Sequence, residues 1–254
     1  MTARAVRLRL DRLLVERGLA ESRARAEALI LAGRVSVAGR AGVKPGTAVP
    51  PDAEIAIAAP EHPWVSRGGV KLAAALDHFG IDPSGRVCLD IGASTGGFTD
   101  VLLARGAGKV YAVDVGYGQL HARLRTDPHV VLLEKVNART LSTREVPERI
   151  ELLVADVSFI SLTMILPAAA PLLAPGASAV LLVKPQFESA RGEVGKGGIV
   201  REAAVRKRAV SRVAAAAESL GLSPLGTMPS PIRGADGNEE FLSAFRAAGR
   251  PDSR

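Results

Sequence analysis

The stretch Val87-Cys-Leu-Asp-Ile-Gly-Ala-Ser-Thr-Gly-Gly-Phe98 decides how this chain folds. Apolar residues run into Asp90, a loop follows with glycines at 92, 96 and 97, and the apolar-periodic segment Phe98 to Leu103 begins at once. That order predicts strand, loop and helix. Such a corner turns bare backbone toward a nucleotide-like molecule at a helix N-terminus. An ordinary strand–loop–helix connection has the same composition, so the neighbouring elements must agree before the corner names a ligand.

The glycine spacing argues against a dinucleotide. The G-x-G-x-x-G pattern needs a glycine two residues after Gly92, and Ser94 stands there. Asp90 lies two residues before Gly92, where its carboxylate is placed to accept from a cationic amino-acid-like group. The pattern Asp-x-Gly-x-x-x-Gly-Gly resembles many S-adenosylmethionine-binding loops. The resemblance assigns Asp90, Gly92, Ser94, Gly96, Gly97 and Phe98 to the cofactor.

With 254 residues, the chain has room for one full α/β domain and a small extra module. Hydrophobic residues make up 47%, enough for a sizeable core. Cys88 is the only cysteine, which excludes an internal disulfide or a cysteine metal cluster and points to a reducing, cytoplasmic setting. The N-terminus shows no long apolar stretch of a secretory signal. The run Ser158–Val183 lacks any charged residue and is long enough for a membrane span, but Pro167, Pro171, Pro175 and Gly176 interrupt it. It reads instead as an amphipathic helix near Leu162–Leu173, a turn at Pro175-Gly176 and a buried strand Ala179–Val183. Of the net charge of +7, residues 1–44 carry +6, an asymmetry that suggests nucleic-acid contact.

The basic end reads as its own unit. Asp11–Arg17 and Arg23–Leu31 are short helices, with Ser22 placed to cap the second, and Arg34–Gly39 and Glu54–Ala58 alternate like strands. Arg9-Leu-Asp11, Ser22-Arg23, Gly33-x-Val35-x-Val37-x-Gly39 and Lys44-Pro45 resemble the RNA-binding motif of ribosomal protein S-four and its relatives. That resemblance makes Arg12, Arg23 and Arg25 the residues presented to RNA. A solvated basic face would use the same residues. Pro60 to Val65 is a linker by composition, with Trp64 placed to dock it on a domain surface. The expected division is an RNA-binding domain over 1–59, a linker over 60–65 and a catalytic domain over 66–254.

From Ser66 a helix runs to about Phe79, carrying Lys71 in its first turns, where the helix dipole disfavours a cation. Lys109–Asp114 is a second strand whose acid falls 22 residues after Gly92, the spacing of a ribose ligand. Val130–Leu133 is a third, followed by Asn137, which can face an adenine edge. A fourth, Ile150–Phe159, contains Asp156, and a fifth, beginning at Val180, brings Lys184 to its carboxyl end, where desolvation would lower a lysine pKa. A basic helix covers about Arg201–Leu220. This alternation predicts a mainly parallel, Rossmann-like doubly wound sheet with helices on both faces, binding ligands at the strands' carboxyl ends.

The loop after the fourth strand, Asp156-Val-Ser-Phe159, is not the Asp-Pro-Pro-Tyr type used on exocyclic base nitrogens, and Cys88 inside a strand cannot serve carbon-5 methylation. Lysines and carboxylates remain, which suit a hydroxyl. The set is similar to the FtsJ-type ribose 2′-O-methyltransferases and, more closely, to the TlyA (hemolysin A) family, which joins an S-four-like module to such a domain. Matching motifs are Val65-Ser-Arg-Gly-Gly-x-Lys71, Asp90 to Phe98, Asp156-Val-Ser-Phe-Ile-Ser161, Val183-Lys-Pro-Gln-Phe-Glu188 and Gly237-Asn-x-Glu240. The resemblance implies a catalytic tetrad of Lys71, Asp156, Lys184 and Glu240, S-adenosylmethionine as cofactor, and cytidine ribose in ribosomal RNA or ribosomal subunits as substrate. No metal is expected. Two other classes stay open: a membrane-active hemolysin, and a non-catalytic RNA-binding assembly factor.

Overall fold

Alternation of side chains across the strands builds the core. The computed structural model describes residues 7–31, 33–58, 62–234 and 237–249, without the side chains of Ala24, Arg25 and Ala28. Pro60 therefore lies outside the described residues, as does the side chain of Arg25. Two compact units result, Met1–Pro63 and Trp64–Arg254.

The first unit comprises β1 (Leu8–Arg9), α1 (Leu10–Glu16), α2 (Arg23–Leu31), β2 (Val35–Val37), β3 (Ala48–Val49) and β4 (Ile55–Ile57). β1 pairs antiparallel with β3 and β2 with β4. Leu10, Leu13 and Leu14 of α1 meet Ala26, Leu29 and Ile30 of α2 in a small core. At its edge lies Asp11, 0% exposed. Its carboxylate accepts two bonds from the Arg9 guanidinium at 3.1 and 2.8 Å, one from Arg23 Nε at 3.0 Å and one from the Arg12 backbone at 2.8 Å. The Arg12 side chain pairs with Glu16 at 2.8 Å. Arg12 and Arg23 are thus exposed yet held by carboxylates of their own unit.

The second unit is organised by one sheet. In chain order it comprises α3 (Gly68–Phe79), β5 (Val87–Ile91), α4 (Gly97–Ala104), β6 (Lys109–Asp114), α5 (Ala122–Arg125), β7 (Val130–Glu134), β8 (Ile150–Ala155), α6 (Leu166–Ala169), β9 (Leu173–Val183), α7 (Pro185–Glu188), α8 (Ala203–Ser219), β10 (Leu222–Pro229) and β11 (Phe241–Ala247). The sheet order is β10-β11-β9-β8-β5-β6-β7. β5 to β9 run parallel, while β11 is antiparallel to both its neighbours. Leu89, Ile91, Leu153, Ala155, Leu181 and Val183 face one core with α6 and α8. The residues between them, Cys88, Leu152, Val154, Val180 and Leu182, face the other with α3 and α4. Burial on both faces explains why these strands are mostly apolar, with Asp90 in β5 a buried exception.

The uncharged run behaves differently from its sequence expectation. Instead of one helix over Leu162–Leu173 there are a 3-10 turn Leu162–Met164, the four-residue α6 and a second 3-10 turn Ala170–Leu172. Pro167 and Pro171 each lack an N–H and crowd the carbonyl four residues back, so no long helix can run through them. Among the described residues no helix is long and apolar enough to cross a membrane. The expected turn at Pro175-Gly176 lies inside β9 as a bulge: Ile150 pairs with Leu173, and Leu152 already with Ser178. Trp64 belongs to the second unit, where its ring packs so closely on Gly69 that a Cβ there would come within 2.4 Å.

Asp11 gives the first unit an acid-sensitive anchor. Its arginine partners hold its carboxyl well below the usual range. Its stabilisation is therefore complete above the unfolded value near ~3.9 and fades as pH falls below it. Asp11→Asn should weaken α1 amide protection in hydrogen exchange by about 2 kcal/mol at neutral pH, and the gap from the unsubstituted protein should narrow toward pH ~3.

Candidate active site

Chain order reverses between β5 and β8, so their carboxyl ends open a crevice. Gly92, directly after β5, turns with φ +85°, and a Cβ there would lie 2.3 Å from the Asp156 carbonyl oxygen. The Asp156 N–H donates to the Ile91 carbonyl at 2.9 Å, so the two strand ends stay joined past the sheet.

Two cavities meet at this point. The first, about 450 Å³, is lined by Ser66, Arg67, Lys71, Phe98, Lys184 and Glu240 among others. The second, about 560 Å³, includes Asp114, Gln119, Asn137, Ala138, Phe159 and Ile160. Gly92, Ser94, Asp156 and Ser158 line both.

The first cavity gathers its ionisable groups from four elements. Lys71 comes from the first turn of α3 and ion-pairs with Glu240. Lys184 follows β9; its ammonium lies 2.6 Å from Asp156 Oδ1 and donates to Ser158 Oγ at 2.9 Å. Phe241 is in register with Val183, so antiparallel β11 begins where β9 ends and delivers Glu240 beside the lysines. Both lysines and Glu240 are buried. Desolvated cations at such positions need fixed carboxylates, and here each has one. Gly234 leaves room for Glu240, whose Oε1 would meet a Cβ there at 2.4 Å. Asn238 anchors the same segment, accepting from the Val200 N–H at 2.9 Å and donating to the Gly198 carbonyl at 2.8 Å. Glu239 points away, exposed, and pairs with Arg206 at 3.0 Å.

The second cavity is framed by Asp114 at the end of β6. Its carboxylate accepts from the N–H of Ser94 and of Gly116, each at 2.7 Å, tying the glycine-rich loop to the loop after β6. Asn137 lines the cavity, although its side-chain oxygen caps a 3-10 turn by accepting from the Arg139 N–H at 3.0 Å.

Gly92, Ser94, Gly97, Phe98, Asp114, Asn137 and all of Lys71, Asp156, Lys184 and Glu240 thus reach the cavity walls. Asp90 and Gly96 do not. Asp90 is 0% exposed beneath the loop, accepts from the Thr99 hydroxyl at 2.7 Å, and is pushed up to about 7, chiefly by burial. A carboxyl so placed supports the loop from below rather than facing a cationic group. Gly96 packs against Leu120 and Leu124. Burial raises the Cys88 thiol to about 12, in keeping with an inert core position. Sequence reading missed Ser158, Ser66, Arg67 and Arg233 on the walls. It also missed Glu188, whose buried carboxylate accepts from the Ser161 hydroxyl and from the Leu162 N–H at 2.7 Å, fixing the loop after β8. Ser158, Ser66, Arg67, Ser161 and Glu188 all lie inside the quoted motifs, where position among charged neighbours was the available signal. Among the described residues, no group of His, Cys, Asp and Glu could hold a metal ion.

The FtsJ-like methyltransferase family matches residues 64–247, and the S4 domain matches residues 8–55. A Mycobacterium tuberculosis relative, 16S/23S rRNA (cytidine-2′-O)-methyltransferase TlyA, is 50% identical over 243 residues, covering 95% of this chain and 91% of its own. Hemolysin A of Brachyspira hyodysenteriae is 41% identical over 239 residues, 94% of this chain and 99% of that one. A Streptococcus thermophilus structure named as a hemolysin superposes with a TM-score of 0.75 at 41% identity, covering 97% of this chain and 90% of that one. With nearly three quarters of its length in the matched methyltransferase domain, an S4 domain ahead of it, and such relatives matched nearly end to end, the chain belongs to the FtsJ-like methyltransferase family.

Proposed function

We propose that the protein transfers a methyl group from S-adenosylmethionine to the 2′-hydroxyl of a ribose, that of a cytidine, in ribosomal RNA. The observation that carries this reading is the pair of buried lysine–carboxylate contacts, Lys71 with Glu240 and Lys184 with Asp156, facing one cavity that shares a wall with a second. The cavity wall formed by Gly92, Ser94 and Gly97, and the Asp114 carboxylate beside it, fit the cofactor. Asp114 would hold its ribose, Asn137 its adenine edge, and Gly92, Ser94 and Gly97 its methionine part. Bound there, the cofactor supplies a methyl group already activated on a sulfonium.

The chain's own residues then have a positioning task. Lys184 forms an ion pair with Asp156 and donates one of its three hydrogens to Ser158. A remaining hydrogen can go to a 2′-oxygen and stabilise the negative charge that develops as the hydroxyl proton passes to solvent. Lys71, fixed by Glu240, adds a second cation to the same cavity. In the first unit Arg12, Arg23 and Arg25 would meet RNA phosphates, contacts that supply affinity without sequence selection. The working division is an RNA-binding domain over 1–59, a linker over 60–65 and a catalytic domain over 66–254, acting on rRNA or ribosomal subunits in the cytoplasm.

Lys184→Ala should retain cofactor affinity by calorimetry while kcat falls by about 10²–10⁴-fold; undiminished turnover would remove Lys184 from catalysis. Asp114→Ala should weaken cofactor binding by about 10–100-fold, the loss of one or two charged hydrogen bonds. The broadest test maps 2′-O-methyl positions in rRNA from cells with and without the protein. A cytidine methylation that disappears with the protein supports the assignment, and identical maps overturn it.

A further inference from the structure

We infer that Arg67 receives the phosphodiester on the 3′ side of the ribose being methylated. This rests on the reading of the first cavity as the site of ribose 2′-O-methyl transfer. The 2′-oxygen and the 3′-phosphate hang from neighbouring ring carbons. Any 2′-hydroxyl that reaches Lys184 therefore brings a phosphate charge into the same cavity, and a cation is needed to meet it.

Four cationic side chains line that cavity: Arg67, Lys71, Lys184 and Arg233. Lys71 is committed to Glu240 and Lys184 to Asp156. Arg233 lies 3.5 Å from Glu239 and donates to the Gly237 carbonyl at 3.3 Å. Arg67 has no side-chain hydrogen bond or ion pair among the described residues, and it is exposed. Among the described residues it is the one of the four without a carboxylate partner, Arg233 sharing Glu239 with Arg206. Its position directly before α3 places it beside the positive end of that helix dipole, which adds to the attraction for an anion. A planar guanidinium suits a phosphodiester because it can donate two parallel bonds to its two free oxygens.

The competing anion is the cofactor's own carboxylate. Arg67 lines only the first cavity and is no part of the wall shared with the second. Its exposure matches a group arriving from solvent on a polymer better than one enclosed with the cofactor.

Arg67→Gln and Arg67→Lys in the full chain test this by initial rates of methyl transfer to ribosomal RNA over a salt series, with cofactor affinity measured separately by calorimetry. Arg67→Gln should lower kcat/KM for RNA by about 10–100-fold, mainly through KM. The slope of log(kcat/KM) against log[salt] should become shallower by about 0.7–0.9, the signature of one lost phosphate contact. Arg67→Lys should keep the slope, and cofactor affinity should be unchanged in both. An unchanged slope overturns the assignment. Weakened cofactor binding in Arg67→Gln also overturns it, placing the arginine on the carboxylate. If the unsubstituted protein itself methylates no ribosomal RNA, the parent reading fails, and the inference with it.

Discussion

The approach of Gly92 to the Asp156 carbonyl is the constraint on which the site depends. Any side chain at 92 would put a carbon 2.3 Å from that oxygen and force the ends of β5 and β8 apart. Those ends carry the four residues common to both cavities, Gly92, Ser94, Asp156 and Ser158. With the strands splayed, the cavity holding the lysines would separate from the one framed by Asp114. Methyl transfer needs donor and acceptor in line at near-contact distance, and on the proposed reading the close approach at Gly92 keeps their two cavities adjacent.

Around that approach the chain balances charge. Two buried lysines would be costly alone, and a carboxylate on a different element meets each of them. The pairing fixes the ammonium groups before any substrate enters, so on the proposed reading little reorganisation is needed as charge develops on an attacking oxygen. Glu240 reaches its place only because β11 runs against its neighbour: in a purely parallel sheet the residue before that strand would sit at the opposite edge. The antiparallel strand thus supplies one carboxylate of the cavity.

Much of this was legible in the sequence, for reasons that differ by residue. Strands buried on both faces are mostly apolar, so β5, β6 and β8 stand out and their carboxyl-end acids and glycines can be placed. β10 and β11 were not read. Leu222–Pro229 holds two prolines and a glycine and is mostly exposed, a composition that points to loop, and it is a strand only because β11 pairs with it. The α6 region failed for a local reason, since apolar periodicity says nothing about where prolines remove donors. Lys71 and Lys184 were visible as cations in the wrong setting, one at a helix start and one at a buried strand end. The bond between Lys184 and Ser158, and the freedom of Arg67, are tertiary facts that no spacing encodes.

Ser94 shows how one substitution reshapes a familiar loop. Dinucleotide sites place a glycine there because phosphate must touch bare backbone. Here Ser94 takes φ +47°, a left-handed conformation that costs a side-chain-bearing residue about 1–2 kcal/mol. Its N–H donates to the Asp114 carboxylate at 2.7 Å, a charged hydrogen bond of about 1.5–3 kcal/mol that offsets the strain. The N–H that would otherwise meet a pyrophosphate is spent on the Asp114 carboxylate. Loop shape and Asp114 therefore form one unit, and a pyrophosphate would have to break that bond to enter. A cofactor with one nucleoside and no phosphate has no such conflict, which supports the proposed reading of this strand–loop–helix corner as a seat for a sulfonium nucleoside in place of a dinucleotide.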